Sequence, residues 1–260
     1  MIEKRIIMEW IESAGNIALG YFNRGSIQQK ADGSLVTEAD KAIETFLVNK
    51  IQARYPQHAV ISEEGAHIDG KEYTWIIDPL DGTLAFIMGM PTWCISIGIL
   101  YQQQPYYGIV YLPITKEVYL AEHNKGATWN NIKIDIPDYQ EINHNSVLCV
   151  SAQAHQMYSF RFPGKILSFG SGIVHSCLVM RGAAIGSLTM KPNIWDLAAV
   201  FTILQESGAV FCDIYGNQLN WKKIYNINAE IPSPLICYHY DKHNIKDLIS
   251  IRKRMPHKFK

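Results

Sequence analysis

The chain has 260 residues, 48% of them hydrophobic, enough to bury a large core in one domain or in two closely packed halves. Its 24 basic and 24 acidic residues cancel, so no net field recruits a nucleic acid polymer or an anionic membrane. Five scattered cysteines without a C-x-x-C pair, no apolar run of about 18 residues and no leader-like start predict a cytoplasmic protein with reduced, buried thiols.

From Ile7 through Ile11, Ala14, Ile17, Ala18 and Tyr21, apolar residues recur at helical spacing, which predicts a first helix ending near Gly20 to Gly25. A second helix opens after Thr37, with Ile43, Phe46, Leu47 and Ile51 on its apolar face. Thr37 and Asp40 fit a capping box at its start. Pro56 to His58 reads as a turn before a short strand, Ala59 to Ile61, and then Ser62-Glu63-Glu64-Gly65. Adjacent carboxylates repel, so Glu63 and Glu64 belong in a solvated loop unless a cation draws them in.

The apolar run Tyr73 to Ile77 predicts a buried strand that stops at Asp78-Pro79-Leu80-Asp81-Gly82-Thr83. Proline biases Asp78 toward extended backbone and forces a turn that brings Asp78 and Asp81 together. Two converging carboxylates resist ionising without a counter-charge, and oxygen-only ligands favour Mg²⁺. The amides of Gly82 and Thr83, at an expected helix start, suit an anion such as phosphate. The plainer reading is a turn whose aspartate caps the next helix.

Strands are expected over Pro91 to Leu100, Tyr106 to Leu112 and Glu117 to Ala121, an antiparallel run joined by turns, with a further turn region over Gly126 to Asn131. Polar residues Pro137 to Asn145 mark a boundary, giving halves 1–142 and 143–260. The second half opens on a strand, Ser146 to Ser151, followed by a poorly patterned segment around Pro163 and Gly164. Gly170-Ser171-Gly172 then leads into a helix from Ile173 to Arg181, and its amides either meet a substrate hydroxyl or simply start that helix. A last helix runs from Asn193 to Gly208 before a strand, Ala209 to Cys212, with Asp196 placed to act as its cap.

The string Trp75-x-Ile77-Asp78-Pro79-Leu80-Asp81-Gly82-Thr83, followed by Phe86, Gly89-x-Pro91 and Ser96-Ile97-Gly98, resembles the signature of the inositol monophosphatase family of Mg²⁺-dependent, Li⁺-inhibited phosphatases. Further matches lie at Lys30 to Asp40, at Glu63-Glu64, at Gly126 to Asn131, and at Trp195-Asp196-x-Ala198-Ala199 with Glu206 and Gly208. Departures are Ser62 for a common Gly, Ala85 for Asn and Ala209 for a second Gly. The resemblance implies an α+β protein with a layered α-β-α-β-α fold and mixed or antiparallel sheets in two joined halves. It also implies a homodimer.

By the same resemblance, Glu63, Asp78, the Leu80 carbonyl, Asp81, Asp196 and, more weakly, Asp40 hold two to three Mg²⁺ ions, a set whose charge balances the ions and a phosphate dianion. Glu64 supports Glu63, and Lys30 either approaches the phosphate or is an ordinary exposed lysine. Glu63 and Thr83 orient the attacking water, with Asp40 partnering Thr83. Asp81, Gly82, Thr83, the 170–172 loop, Thr189 and Asp196 surround the substrate, with the second half supplying Asp196 and the specificity loop. The implied activity is hydrolysis of a small phosphate ester such as inositol 1-phosphate. Because Thr189 stands where inositol-selective relatives place an acid, histidinol phosphate, fructose 1,6-bisphosphate and adenosine 3′,5′-bisphosphate are alternative substrates. A catalytically silent binding or regulatory protein is the non-enzyme alternative.

Overall fold

The computed structural model describes residues 2–24, 27–29, 35–135, 142–225, 231–239 and 250–253. Helix α1 (Lys4–Tyr21) buries Ile7, Ile11, Ala14 and Ala18 along the expected stripe. A short antiparallel pair, β1 (Ile27–Gln29) and β2 (Leu35–Thr37), leads to α2 (Glu38–Arg54). The capping box is formed: the Thr37 hydroxyl accepts from the Ala39 amide at 3.2 Å and the Asp40 carboxylate accepts from the Thr37 amide at 2.8 Å. Lys30 and its neighbours through Ser34 lie outside the described residues, as does most of the basic carboxyl end.

Next come β3 (His58–Ser62), β4 (His67–Ile68), β5 (Lys71–Asp81), α3 (Thr83–Ile87), β6 (Cys94–Tyr101), β7 (Gln104–Leu112), β8 (Glu117–Glu122), β9 (Ala127–Trp129) and β10 (Ile132–Lys133). They build an eight-stranded sheet in the order β10-β9-β8-β7-β6-β5-β3-β4, antiparallel except where β3 lies beside β5. Two corrections to the sequence reading fall here. Gly126 to Asn131 is not one turn: Ala127–Trp129 pairs as a strand, and only Asn130 and Asn131, both at positive φ, reverse the chain. Strand β5 also outruns its expected end at Asp78 and continues to Asp81.

The remaining elements are β11 (Val147–Val150), α4 (Ala154–Met157), β12 (Tyr158–Arg161), β13 (Lys165–Leu167), α5 (Gly172–Met180), β14 (Gly186–Thr189), α6 (Ile194–Ser207), β15 (Ala209–Cys212), α7 (Trp221–Ile224), β16 (Leu235–His239) and β17 (Ser250–Lys253). A five-stranded mixed sheet has the order β13-β11-β14-β16-β15, and β12 pairs with β17 in a separate ribbon.

The protein is a layered α+β fold. Helices α1 and α2 cover one face of the large sheet, where Trp75, Ile77, Ile95, Ile97 and Ile99 are fully buried. Helices α5 and α6 lie between the sheets, in a cluster that joins Ile76, Cys94 and Val110 of the large sheet to Cys149, Leu235 and Cys237 of the small one. The outer face of the small sheet packs Leu148, Val150, Leu188 and Ile236 against Ala154 of α4 and the half-buried Phe160 of β12. All five cysteines are buried, and none is in a disulfide. Among the described residues no helix is long and apolar enough to cross a membrane.

Helix α6 rests on bare backbone. Gly98 and Gly108 face each other across β6 and β7, and a Cβ on Gly98 would sit 2.5 Å from Ala198 Cβ, one on Gly108 2.2 Å from the Ala199 carbonyl oxygen. At the other end of the helix, Glu206 accepts the amides of Asn124 and Gly126, each at 2.8 Å. The family-like glutamate thus ties α6 to the turn between β8 and β9.

Candidate active site

Residues three apart on a regular strand point to opposite faces, because the side-chain period is two. Asp78 and Asp81 escape this through a β-bulge. Asp78 pairs with Ser96 and Asp81 with Cys94, so three steps along β5 match two along β6. The extra residue leaves both carboxylates on the α6 side of the sheet. Pro79, which has no N–H to donate, falls inside the bulge, where proline is tolerated. The Leu80 amide donates back to Asp78 Oδ1 at 3.0 Å. The turn follows at Gly82, whose φ of +88° suits glycine, and which caps the five-residue α3.

Asp196 arrives from the first turn of α6, held by the Asn193 amide at 2.6 Å. Ligand oxygens of Asp78, Asp81 and Asp196 lie within 4.8 Å of one another. Glu63 is not one of these three but lies close enough to act on them. Its charge acts on Asp40, Asp78, Asp81 and Asp196 alike, and its carboxyl shares a hydrogen bond with Asp78. The Glu63 amide is fixed to the Ile77 carbonyl at 3.2 Å, and the Glu64 amide to Glu44 of α2 at 3.1 Å.

The electrostatics of this cluster are adverse to a bare acidic site. Burial first, then neighbouring carboxylates, holds Asp78 and Asp196 well above the usual carboxylate range. Asp81 is pushed up to about 6, chiefly by burial, although hydrogen bonds from Ser171 and Ile173 pull it back. Burial also raises Asp40, against the pull of its Thr37 hydrogen bonds.

The rest of the wall comes from α5. Ser171 donates its hydroxyl to Asp81 Oδ2, and the Ile173 amide donates to the same oxygen at 2.9 Å. Ser171 also caps α5 by accepting the Val174 amide at 2.9 Å. Two of the amides expected to meet substrate or start a helix are therefore taken by Asp81 and by the cap. The Gly82 amide likewise donates to Asp81. Gly170, at φ +89°, abuts Ala85, while Gly172 abuts Thr189, which places Thr189 beside the site wall. One expected pairing differs. The Thr83 hydroxyl donates to the Leu80 carbonyl at 3.2 Å, and Asp40 accepts instead from the Thr37 hydroxyl at 2.6 Å. Both partners lie within three residues, so each bond forms without bringing α2 and α3 together.

The inositol monophosphatase family model matches residues 4–249. The chain belongs to the inositol monophosphatase family. It is 33% identical over 235 residues to the Nus factor SuhB of Vibrio cholerae, covering 84% of this chain and 87% of that one. It is 31% identical over 255 residues to inositol monophosphatase 3 of Solanum lycopersicum, covering 89% and 94%. A solved IMPase/NADP phosphatase complexed with Mg²⁺ and phosphate has the same fold, with a TM-score of 0.75 at 21% identity over 90% of this chain and 89% of its own.

Membership in the inositol monophosphatase family accounts for the acidic residues, while two supports were not read from the sequence as such. The hydroxyl of Ser171 as a donor to Asp81, and Glu44 as the anchor of Glu64, join residues far apart in the chain and carry no local pattern. The donor set fits a divalent cation, since it offers only oxygens and its own charges are mutually repelling.

A pH prediction follows from the raised carboxylates. Their folded pKa values lie above the ordinary 3.8, so in the metal-free protein their stabilising contribution is full below about pH 4 and is lost as pH rises, for Asp81 through about 6. A cation needs the ionised forms and reverses that trend. Mg²⁺ at about a hundredfold over Kd is worth about 2.7 kcal/mol, or about 5–10 °C in Tm for a chain of this size. We expect that shift at pH 8 and little of it at pH 5 in thermal melts. Equal shifts at both values would refute the assignment.

Proposed function

We propose that the protein is a Mg²⁺-dependent phosphomonoesterase that hydrolyses a small phosphorylated polyol or related metabolite, in the manner of an inositol-1-monophosphatase. One observation carries this reading: Asp78, Asp81 and Asp196 converge from two separate elements at a cost in mutual repulsion that packing alone does not require. Glu63, Asp78, Asp81, Asp196 and Asp40, with the Leu80 carbonyl, are the residues that would hold two to three Mg²⁺ ions. When bound, such ions polarise a phosphoryl oxygen and lower the pKa of water.

The chain's own groups do the rest. Thr83 gives its hydroxyl hydrogen to Leu80 and so keeps its lone pairs for the hydrogens of a water. Glu63 is the acceptor for the other hydrogen and thereby orients that water. Ser171 and Ile173 fix Asp81 through a single oxygen, which sets its rotamer. The Thr83 amide and the 170–172 loop face the ester. No cysteine, histidine or serine stands in a nucleophile motif, so a covalent phosphoenzyme is not part of this scheme.

The test is phosphate release from inositol 1-phosphate, histidinol phosphate, fructose 1,6-bisphosphate and adenosine 3′,5′-bisphosphate, with Mg²⁺ and with chelator. Mg²⁺-dependent release, inhibited by millimolar Li⁺, is expected from a cytoplasmic homodimer. Several relatives bear the name of a Nus factor, and absence of release from all four esters would favour the binding or regulatory alternative.

Substrate choice turns on Thr189, which touches Gly172 at the start of α5. Thr189→Glu is expected to raise kcat/KM for inositol 1-phosphate over simple alkyl phosphates by about tenfold, since a charge-assisted hydrogen bond to ring hydroxyls is worth about 1.5–3 kcal/mol. The same change should worsen adenosine bisphosphate by repulsion. An unaltered ratio means that Thr189 does not face the substrate.

A further inference from the structure

His175 lies four residues past Ser171 on α5 and is 1% exposed. Its Nε2 accepts the Phe169 amide at 2.9 Å, which assigns the neutral tautomer with hydrogen on Nδ1. Burial lowers the imidazole to about 4, so Nε2 remains an acceptor at neutral pH. Nδ1 is buried with no partner among the described residues. A leucine would fill this space without a stranded Nδ1–H but would leave the Phe169 amide without its acceptor, so what the histidine adds beyond packing is that one hydrogen bond.

What the imidazole grips is the base of the loop that touches Asp81. The Phe169 carbonyl is held from the other side by Thr92 Oγ1 at 2.6 Å. With both faces of Phe169 fixed, the next residue, Gly170, is seated at φ +89° against the Ala85 methyl, and a Cβ there would approach to 3.0 Å. Ser171 follows directly and donates to Asp81. The path from imidazole to carboxylate therefore runs through three consecutive residues with little slack.

We propose that His175 is a positioning residue: by holding the Phe169 amide it sets the angle at which Ser171 grips Asp81, and through Asp81 the affinity of the site for a divalent cation. The proposal rests on the reading of Asp81 as a metal ligand. It makes the buried imidazole part of the site without contact to substrate, cation or water.

The test compares His175→Leu, which fills the volume without an acceptor, with His175→Gln, whose carbonyl oxygen can take the place of Nε2. Mg²⁺ binding is read by calorimetry, and exchange of the Phe169 amide by mass spectrometry. Supporting groups behind a metal ligand are worth about 10–100-fold in affinity, so His175→Leu should weaken Mg²⁺ binding by that range, with faster Phe169 exchange. His175→Gln should recover binding to within about threefold of the parent. In a Ser171→Ala background, His175→Leu should add less than about threefold, since both changes act through one contact. Should His175→Leu fail to fold, Thr92→Val loosens Phe169 from its other side and should weaken Mg²⁺ binding in the same way. Parent-like affinity in His175→Leu, or in Thr92→Val where that stands in, overturns the proposal. So does full additivity with Ser171→Ala. A parent protein that binds no Mg²⁺ overturns the functional reading and this proposal together.

Discussion

Asp81→Asn is expected to abolish turnover while leaving the fold in place. The amide keeps the shape of the carboxylate, and its oxygen can still accept from Ser171 and the Ile173 amide. Its NH₂ group must then face Asp78 and Asp196, where a cation would otherwise sit. Groups that merely support a metal ligand cost about 10–100-fold when lost, so replacing the ligand itself should cost at least about a hundredfold in kcat/KM. Removing one charge from a repelling cluster should at the same time raise the metal-free Tm, the trade of stability for activity found at strained sites. Activity within about tenfold of the parent, or about 1.4 kcal/mol of barrier, would sink the assignment.

The second large effect is mechanical. Gly98→Ala puts a methyl 2.5 Å from Ala198 Cβ and 2.6 Å from the Ala198 carbonyl carbon. Backbone atoms cannot step aside, so the helix must lift by about 1 Å to reach ordinary contact. Asp196 lies two residues away in the same first turns of α6 and is carried with it. Overpacking of this kind costs about 1–3 kcal/mol, and a 1 Å misplacement in a catalytic constellation can cost about a hundredfold in rate. Melting and Mg²⁺-dependent kinetics measured on one preparation check both parts. A folded variant with parent kinetics would show that the height of α6 does not set the site.

The long helices were legible because their signals are local: α1 by its stripe of Ile7, Ile11 and Ala14, α2 by the Thr37 and Asp40 box, and α6 by Asn193 at one end and Gly208 at the other. The bulge in β5 was not. Asp-Pro-x-Asp-Gly has the composition of a turn, but Pro79 and Leu80 are buried and pairing with β6 resumes at Asp81, so tertiary packing overrode the local signal. Elements α4, β12 and β13 span three or four residues each, too few to repeat any period. In the site, Asp78 and Asp81 could be paired from their spacing, whereas the approach of Asp196 rested on family resemblance. Nothing local in the sequence connects the end of β5 with the first turn of α6. Glu206 matched the family motif, but its grip on Asn124 and Gly126 depends on a fold that sequence spacing does not display.

That grip restricts how the molecule can move. Packed helices in many proteins respond to ligands by shear, sliding a fraction of a turn along a neighbour. Helix α6 has no such freedom: its first turns are seated in the trough of Gly98 and Gly108, and its last turn is hooked by both oxygens of Glu206 to the β8–β9 turn. Axial sliding would break those bonds and drive Ala199 into the sheet. Any rearrangement around a bound ligand would therefore leave α6 in place, as a fixed frame for the rest of the site.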